Sequence, residues 1–280
     1  MVAYPEGWKE CSFKDTGIEV LKGQIITRAN ARTGKIPVIA GGKEPAYYCD
    51  KYNRDGTTIT ISASGANAGY VNLYGGKIFA SDCSTISEAT NYDIRYIYYL
   101  LLNKQNEIYD AQTGGAQPHI HPKDIYKLSI VYTSDVSEQQ AIASILSDFD
   151  EHINNLTKLI EKKKNIRDGA LEDLTSGKTR LDGFNGEWEE CIIEDCAYIY
   201  QGGTPNTNNS KYWNGDIVWL TPGEITNNKG MFISDSERKI TLDGIKNSSA
   251  VILPKGTILL CTRATIGTLA ISEKELATNQ

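Results

Sequence analysis

The residues that could do chemistry in this chain do not form a complete catalytic constellation. The segment Ser176-Gly177-Lys178-Thr179 is similar to the end of a phosphate-binding loop, but that loop requires a glycine where this chain has Glu172. The segment also follows a predicted helix, whereas a phosphate-binding loop follows a strand. Capping of the helix end is the better interpretation.

Histidines offer a second kind of chemistry, metal binding. His119 and His121 would share a face of an extended segment and could hold a metal, but the only other histidine, His152, lies in a predicted helix. No G-x-G-x-x-G motif indicates a nucleotide cofactor. We therefore predict no catalytic residue, no bound metal and no cofactor. A hydrolase or nuclease site around His119, His121 and Asp124 is the enzymatic alternative.

The net charge of −6 argues against a protein that coats nucleic acid without regard to sequence, because such proteins carry a large basic excess. A local basic surface could still form within residues 22–54. Its side chains could face phosphates or be solvated at the surface. They are Lys22, Arg28, Arg32, Lys35, Lys43, Lys51 and Arg54.

Composition indicates a soluble protein of the cytoplasm. A chain of 280 residues that is 40% hydrophobic is long enough for two compact domains and a spacer. No apolar run approaches the ~20 residues that span a membrane, and the N-terminus lacks the pattern of a secretory signal. The six cysteines include no C-x-x-C pair, so we expect reduced and buried thiols.

A long helix, predicted between residues 138 and 181, must position whatever lies on either side of it. Apolar residues recur there at intervals of three and four, and no proline interrupts them. At ~1.5 Å per residue, a helix of roughly 35 residues spans about 50 Å, which suits a spacer better than a core element. The apolar stripe that we expect to pair with another helix consists of Ile142, Leu146, Phe149, Ile153, Leu156 and Ile160.

The segments before and after this helix are similar to each other in the same order, which favours a duplicated domain with loop insertions. The matching segments are 7–11 with 187–191, 21–24 with 200–203, 61–69 with 259–267, and 79–82 with 276–279. The chain stops at Gln280, where the second copy has reached the counterpart of residue 83. We therefore expect the second copy to be unfinished and to lack its own long helix.

Motifs in the second copy and in the helix carry a resemblance to a known family. In the second copy they are Gly203-Thr204-Pro205, Tyr212-Trp213, Gly215-Asp216-Ile217, Trp219 and Thr221-Pro222-Gly223-Glu224-Ile225. In the helix they are Glu138-Gln139-Gln140, Ile142-Ala143, Ile145-Leu146 and Leu174-Thr175-Ser176-Gly177-Lys178. In combination these residues resemble the DNA-specificity subunit of Type I restriction-modification systems. The first copy departs from the pattern, because Gly23-Gln24-Ile25 stands where Gly-Thr-Pro is expected.

The resemblance implies an α+β fold with two repeated mixed α/β target-recognition domains, separated by a coiled-coil-like spacer helix. We assign residues 1–136 to the first recognition domain, 137–181 to the spacer, and 182–280 to the N-terminal part of an incomplete second domain. In such subunits each recognition domain reads half of a bipartite target in double-stranded DNA, and the helix fixes the gap between the halves. Separate methyltransferase and restriction subunits do the chemistry.

Two spacer helices pair antiparallel in family members, so a homodimer through the apolar stripe would give this helix its partner. The alternative function is a helical scaffold that does not bind DNA.

The resemblance also indicates which kinds of side chain would contact DNA. Arginine suits the edge of guanine and asparagine or glutamine that of adenine, while lysines and hydroxyls bind phosphates. We assign Trp213 and Trp219 to the core rather than to base stacking. The candidates are polar residues near glycine-bearing turns: Lys22, Gln24, Arg28, Arg32, Lys43, Ser64, Asn67 and Gln117 in the first copy, and Thr204, Asn206, Lys211 and Arg263 in the second.

Overall fold

The computed structural model describes residues 4–280. They divide into two compact units, a first unit that ends at Thr179 and a second unit, Arg180–Gln280. The long helix belongs to the first unit. Within residues 4–280, no helix combines the length and the apolar character that spanning a lipid bilayer requires.

The first unit contains nine strands and four α-helices among its described residues. The strands are β1 (Trp8–Ser12), β2 (Leu21–Lys22), β3 (Ile36–Ile39), β4 (Tyr47–Cys49), β5 (Thr58–Ser62), β6 (Val71–Tyr74), β7 (Phe79–Ala80), β8 (Cys83–Ser87) and β9 (Ser129–Thr133). The helices are α1 (Ile94–Asn103), α2 (Gln105–Asp110), α3 (Pro122–Ile125) and α4 (Val136–Thr175). Three sheets result, with the orders β2-β8-β5-β6, β4-β3-β7 and β1-β9.

Helix α1 covers one face of the four-stranded sheet. Asp93 caps its N-terminus by accepting hydrogen bonds from two backbone N–H groups. Ile97 and Leu101 are fully buried and share one hydrophobic cluster with Ile59 and Ile61 of β5. The core of the first unit therefore lies between this sheet and α1.

Helix α4 has 40 residues and is about 60 Å long at ~1.5 Å per residue. Asp135 caps its N-terminus. It ends at Thr175, before the predicted limit of residue 181, because Gly177 adopts a left-handed conformation with φ of 74°. The predicted capping role of the segment after the helix is thus confirmed, and the N–H of Thr179 donates back to the carbonyl of Asp173 (3.1 Å).

The second unit contains six strands and three short α-helices. In chain order they are α5 (Ile193–Cys196), β10 (Trp213–Leu220), α6 (Pro222–Asn227), β11 (Phe232–Ile233), β12 (Lys239–Ile240), α7 (Leu242–Lys246), β13 (Ile258–Leu260), β14 (Leu269–Ser272) and β15 (Ala277–Thr278). They form two sheets with the orders β12-β10-β15 and β11-β14-β13.

One three-stranded sheet in each unit has the same order and the same strand directions. In the first unit β3 lies between antiparallel β4 and parallel β7, and in the second β10 lies between antiparallel β12 and parallel β15. The hydrogen bond from Ser81 N to Ile39 O (2.7 Å) has a counterpart from Asn279 N to Leu220 O (2.9 Å). The predicted repetition of a mixed α/β domain is confirmed.

The hairpin of β5 and β6 likewise corresponds to that of β13 and β14. Gly69 N donates to Ser62 O (2.7 Å) in the first turn, and Gly267 N donates to Cys261 O (3.0 Å) in the second. The units differ by insertion, because α6 and β11 stand between β10 and β12, whereas β3 and β4 are joined directly by residues 40–46.

The cysteines correct one expectation. Cys191 and Cys196 form a disulfide in an exposed segment, so the prediction that all thiols are reduced and buried is wrong for this pair. Cys49, Cys83 and Cys261 are free and buried as expected, whereas Cys11 is free but only half-buried. Burial raises the pKa of the Cys83 thiol to about 12, which keeps it protonated.

Candidate nucleic-acid interface

The loops that follow β3, β5 and β7 meet at one edge of the first unit. Strands β3 and β7 are parallel, so their carboxyl ends lie at the same edge. A Cβ on Gly41 would lie 2.5 Å from the carbonyl oxygen of Ser64, and Ala63 N donates to Asp82 O (3.1 Å). The Ser64 hydroxyl donates to the Asp82 carboxylate. We call loops 40–46, 63–70 and 81–82 the loop edge.

Asn67 and Ser64 lie in the glycine-bearing turn of this loop edge. Gly65 and Gly69 have φ values of 82° and 83°, a backbone that favours glycine. Tyr70 N donates to Asn67 O (2.9 Å), so the Asn67 main chain is held while its amide group stays partly exposed.

Arg263 occupies the corresponding turn of the second unit. The matched bonds at Ser62 and Cys261 shift the alignment expected from the sequence by one residue, because the second turn is one residue shorter. Counted from these bonds, Arg263 stands at the position of Ser64 and not of Gly65, and its side chain is exposed. Two candidates selected separately from the sequence therefore occupy equivalent places in the two units.

Gln24 directly follows Gly23, and Thr204 lies two residues after Gly202, the counterpart of Gly23; both glycines lie close to the backbone at the loop ends. A Cβ on Gly23 would collide with the Ser81 carbonyl oxygen, and one on Gly202 would collide with that of Asn279. Gln24 N donates to Ala80 O (2.9 Å), and Gly203 N donates to Thr278 O (2.9 Å). Both candidate side chains are exposed beside these anchored main chains.

Two cationic candidates of the first unit rest on tyrosine rings. The Lys43 ammonium lies 5.3 Å from the centroid of the Tyr70 ring, at the loop edge. The Arg28 guanidinium lies 5.6 Å from the centroid of Tyr47. Tyr47 in turn donates to Ile26 O (2.8 Å), in the segment that follows Gln24. The two tyrosines were not singled out from the sequence, because they lie far along the chain from their partners or in another loop.

Gln117 reaches the same edge through a neighbouring loop. Gly65 N donates to Pro118 O (3.0 Å), and His119 forms a backbone bridge with Ser64. Gln117 is exposed. The structure therefore brings Gln24, Lys43, Ser64, Asn67 and Gln117 to linked loops, although they are up to 93 residues apart in the chain (117 minus 24).

Lys22 and Arg32 stand apart from that group. Lys22 lies on edge strand β2, where its carbonyl accepts a hydrogen bond from the Arg54 guanidinium (3.3 Å). Arg32 follows the short 3₁₀ turn Arg28–Asn30 and is exposed. Among residues 4–280, the structure gives its side chain neither a hydrogen bond nor an ion pair.

The remaining candidates of the second unit lie on the loop that enters β10. Asn206 Oδ1 accepts from Asn208 N (3.0 Å), and the Asn206 carbonyl accepts from Trp213 Nε1 (3.2 Å). The carbonyl of Lys211 accepts from the Thr241 hydroxyl (2.8 Å). The Asn206 amide nitrogen and the Lys211 ammonium remain at the surface.

An arginine that sequence reasoning missed lies beside this loop. The Arg238 guanidinium stacks on Trp213, 3.7 Å from a ring centroid, and lies 5.7 Å from that of Trp219. Both tryptophans are buried, so their predicted assignment to the core is confirmed. Trp219 Nε1 donates to Gly203 O (2.8 Å), which ties the loop to β10. No sequence signal could have found Arg238, because strand pairing brings it to these rings.

A hydrogen-bond network fixes the start of α4 to the first unit. Trp8 Nε1 donates to Glu138 Oε1 (2.9 Å), and the Thr133 hydroxyl donates to Glu138 Oε2 (2.9 Å). Since Trp8 and Thr133 are partners in the β1–β9 ladder, Glu138 joins both strands to the helix. We call this contact, together with those of Gln139, the helix joint.

Gln139 is fully buried in the helix joint and makes three hydrogen bonds. Its Nε2 donates to Thr133 O (2.8 Å) and to Tyr132 Oη (3.2 Å), and its Oε1 accepts from Asp93 N (2.8 Å). Every polar atom of this side chain is thus satisfied, as a buried amide requires.

Beyond the joint, α4 leaves its apolar stripe exposed. Ile142 packs partly against the core of the first unit, and Tyr99 of α1 donates to Asp150 (2.7 Å). From there on the predicted pairing residues face solvent: Leu146 (37% exposed), Phe149 (63%), Ile153 (60%), Leu156 (57%) and Ile160 (56%). Helix α1 contacts α4 on either side of Asp148, and the stripe from Phe149 to Ile160 is more than half exposed at every position.

The residues of the enzymatic alternative serve local structure. The His119 and His121 rings stack with centroids 6.3 Å apart. Asp124 accepts from His121 N (3.1 Å) and so caps α3. Over residues 4–280, no group of three or more histidine, cysteine, aspartate or glutamate side chains is arranged to hold a metal.

Comparison with known proteins places both units in one family model. The chain matches the Type I restriction modification DNA specificity domain at residues 5–166 and again at 185–280. It is 45% identical over 94 residues to the Type I restriction enzyme MjaIX specificity subunit of Methanocaldococcus jannaschii, a match that covers 34% of this chain and 22% of that protein.

A second relative matches more of the chain. The putative type I specificity subunit S.MgeORF438P of Mycoplasma genitalium is 32% identical over 199 residues, which is 69% of this chain and 50% of that protein. The chain thus spans half or less of the length of these two relatives. The crystal structure of the Type-I restriction-modification system S subunit from M. genitalium covers 98% of this chain and 70% of its own, with a TM-score of 0.56 and 21% identity. That likeness shows a shared fold.

Proposed function

The chain belongs to the Type I restriction-modification DNA-specificity family, and from that membership we propose that it is a non-catalytic subunit that recognises double-stranded DNA by sequence. Each unit reads one half of a bipartite target, and α4 fixes the distance between the halves. The observation that carries this proposal is the repetition. The same strand framework, with polar loops at the same edge, occurs on either side of a 40-residue helix.

To recognise a base, a side chain needs a polar end group that is accessible to DNA and a backbone that is held in place. The loop edge and the matching turn of the second unit meet this requirement, because main-chain hydrogen bonds hold both. Asn67 in the loop edge, Gln24 beside it and Arg263 in the second turn stay at least partly exposed. We assign these three side chains to base edges. The charged and hydroxyl candidates Lys22, Arg28, Arg32, Lys43, Ser64, Thr204 and Lys211 we assign to phosphates, where charge or a hydroxyl is sufficient.

The helix joint supports the role of α4 as a ruler. A spacer fixes a gap only if its direction is set where it leaves the domain, and Glu138 and Gln139 set it here through five hydrogen bonds to the first unit. The exposed stripe beyond the joint supports pairing with a second helix. We propose that a second copy of this chain supplies that helix in an antiparallel homodimer.

Charge along α4 agrees with the antiparallel arrangement. Asp150 and Glu151 precede the middle of the stripe, whereas Lys162, Lys163 and Arg167 follow it. An antiparallel partner centred near Leu156 would place Asp150 opposite Lys162, whereas a parallel partner in register would place each charge opposite its own copy. Light scattering should give a dimer mass, and Phe149→Asp should return it to the monomer.

Partners of this chain would do the chemistry. Methyltransferase subunits would modify, and a restriction subunit would cleave, the DNA that the chain selects, in the cytoplasm where that DNA lies. No step of either reaction needs a residue of this chain.

Selection from a random duplex library tests the proposal. The full chain, with methyltransferase subunits where needed for stable binding, should enrich two short motifs separated by a fixed unread gap. Enrichment of one motif alone would contradict the two-unit reading. Binding that ignores sequence, or no salt-sensitive binding at all, would favour the scaffold alternative.

A further inference from the structure

Arg238 lies against an aromatic surface in the second unit. Its guanidinium carbon is 3.7 Å from a ring centroid of Trp213 and 5.7 Å from that of Trp219. A guanidinium over an aromatic face is attracted by the ring electrons and can still direct its N–H groups outward. The two indoles meet edge to face, with centroids 5.1 Å apart and an interplanar angle of 87°. We call Trp213 and Trp219 the indole platform.

Hydrogen bonds and burial fix both rings of the indole platform. Each ring is less than a tenth exposed. Trp213 Nε1 donates to Asn206 O (3.2 Å), and Trp219 Nε1 donates to Gly203 O (2.8 Å). Each indole therefore uses its one polar atom to bind the loop that enters β10. The surface on which Arg238 rests is held in place from two sides.

The Arg238 guanidinium has no polar partner in the protein. The residue is exposed, and among residues 4–280 its side chain makes neither a hydrogen bond nor an ion pair. Carboxylates of the same region are engaged elsewhere, because Asp235 pairs with Lys239 (3.2 Å) and Glu224 accepts from Glu237 N (2.7 Å). The N–H donors of a positioned cation are thus free to bind an external acceptor.

Arg238 stands at the edge of the second unit that corresponds to the loop edge. The matched parallel pairs of β3 with β7 and of β10 with β15 align the two central strands. Counted from them, Arg238 directly precedes β12 at the position that Tyr47 occupies in β4. Because β12 is antiparallel to β10, this position lies beside the carboxyl end of the central strand. The carboxyl end of β3 leads into loop 40–46 of the loop edge.

The first unit also has an arginine on an aromatic ring at this end of its framework. Arg28 lies 5.6 Å from the centroid of Tyr47, and Tyr47 donates to a carbonyl of the entering segment, as Trp213 does in the second unit. The two residue types have exchanged elements, because here the arginine precedes the central strand and the ring is on the outer one. Arg238 is held more closely, and by two rings instead of one.

We propose that Arg238 is a specificity-determining residue of the second unit and binds the major-groove edge of a guanine in one half of the DNA target. The inference rests on the proposed function and names a residue within it. Guanine presents two adjacent acceptors, O6 and N7, which two N–H groups of one guanidinium can bind together. Such a pair of bonds requires a set orientation, and the indole platform provides it. A phosphate contact requires charge and no fixed plane, so the platform favours the base.

Substitution of Arg238 in the full chain tests this role. The probes are the duplex that the unchanged chain enriches from the random library, a set of duplexes that each change one of its base pairs, and a scrambled duplex. Arg238→Ala should weaken binding to the enriched duplex about ten- to a hundredfold and abolish the preference at one G·C pair of one half. Preferences in the other half should stay unchanged, because the first unit reads them.

Two further variants separate base reading from charge and from general packing. Arg238→Lys keeps the charge without the planar donors, so it should lose most of the same preference while it keeps its affinity for the scrambled duplex. Arg180 is the matched control, because its guanidinium also lies over an indole, that of Trp188 at 5.1 Å, but donates to Gly186 O (2.8 Å). Arg180→Ala should leave every preference unchanged.

Two results would overturn the inference and leave the proposed function standing. One is specific binding by Arg238→Ala with its preference intact at every position. The other is an equal loss on the enriched and scrambled duplexes, which would assign Arg238 to a phosphate. If Arg238→Ala relaxes every position of that half, lost packing is the cause, and Arg238→Lys decides between base and phosphate. A lack of sequence preference in the unchanged chain would instead contradict the proposed function, and this inference with it.

Discussion

The two units contain the same short motif in two different states. Residues 8–12 form β1, which pairs along its whole length with β9, and Trp8 donates to Glu138 of the helix joint. The matching segment around Trp188 forms no strand; its indole is 61% exposed and lies under the Arg180 guanidinium. Strand formation here depends on a pairing partner and not on local sequence. The second unit, as described, has no equivalent of β9.

The largest expected effect comes from Gln139, which attaches α4 to the first unit at the helix joint. Gln139→Ala removes three hydrogen bonds and leaves Asp93 N without its partner in a buried site. We expect a loss of about 3 kcal/mol in the free energy of unfolding of the first unit, measured by urea denaturation. Gln140→Ala, an exposed neighbour, should change it by less than about 0.5 kcal/mol. Similar losses for both variants would show that the joint is not what holds the helix.

The next effect tests whether the two frameworks are equivalent. A methyl group on Gly23 or Gly202 meets a backbone carbonyl that cannot move aside. Gly23→Ala and Gly202→Ala should each destabilise their own unit by about 2 kcal/mol, seen by calorimetry as a downward shift of one transition. Gly75→Ala, where a Cβ meets nothing within 4 Å, is the control. A clear difference between the first two variants would break the correspondence.

The third prediction compares the DNA affinity lost by substitutions in the two corresponding turns, at Arg263 and at Ser64. Arg263→Ala should weaken binding to the selected target by about 2 kcal/mol if Arg263 reads a base, while Ser64→Ala should cost less, because its hydroxyl already bonds Asp82. Fluorescence titrations on the target and on a duplex of scrambled sequence separate the two roles. An equal loss on both duplexes would reassign Arg263 to a phosphate. Arg28→Ala and Arg32→Ala can be sorted in the same way.

The smallest effect returns to the tryptophans. Trp8→Phe keeps the ring but loses the donor to Glu138, and we expect a cost of about 1 kcal/mol. Trp188→Phe should cost nothing measurable, since the structure gives its indole N–H no acceptor among residues 4–280. Equal costs, measured by thermal unfolding of the two variants, would indicate that Trp188 has a buried partner in solution.

The sequence predicts the helix because its apolar residues recur at a helical interval, and it predicts the repetition because the matching segments occur in the same order. The stripe from Ile142 to Ile160 lies on one helix. Of the matched segments, 61–69 with 259–267 and 79–82 with 276–279 include corresponding strands, whereas 187–191 and 200–203 form no strand. The limits of α4 shift because single residues, Asp135 and Gly177, set them. The role of Glu138 at the helix joint depends on Trp8, which is 130 residues away along the chain. The motif around Glu138 therefore indicates the family but does not predict this contact.

The candidate site is only partly predictable for the same reason. Polar residues beside glycines could be chosen from the sequence, and several of them converge at the loop edge. Their convergence follows from the parallel pairing of β3 with β7, which no local pattern indicates. Arg238, Tyr47 and Tyr70 escape sequence reasoning because only the folded chain brings them to their partners.

The bonds that hold the loop edge are made mainly by main-chain atoms, at Ala63, Gly65, Gly69 and Ser81. Side chains between these main-chain hydrogen bonds therefore contribute little to the stability of the fold. Such positions can change by mutation or recombination while the framework persists. Related chains could in this way differ in their DNA targets while they share one fold. Substitutions that change specificity would then accumulate without a matching loss of stability.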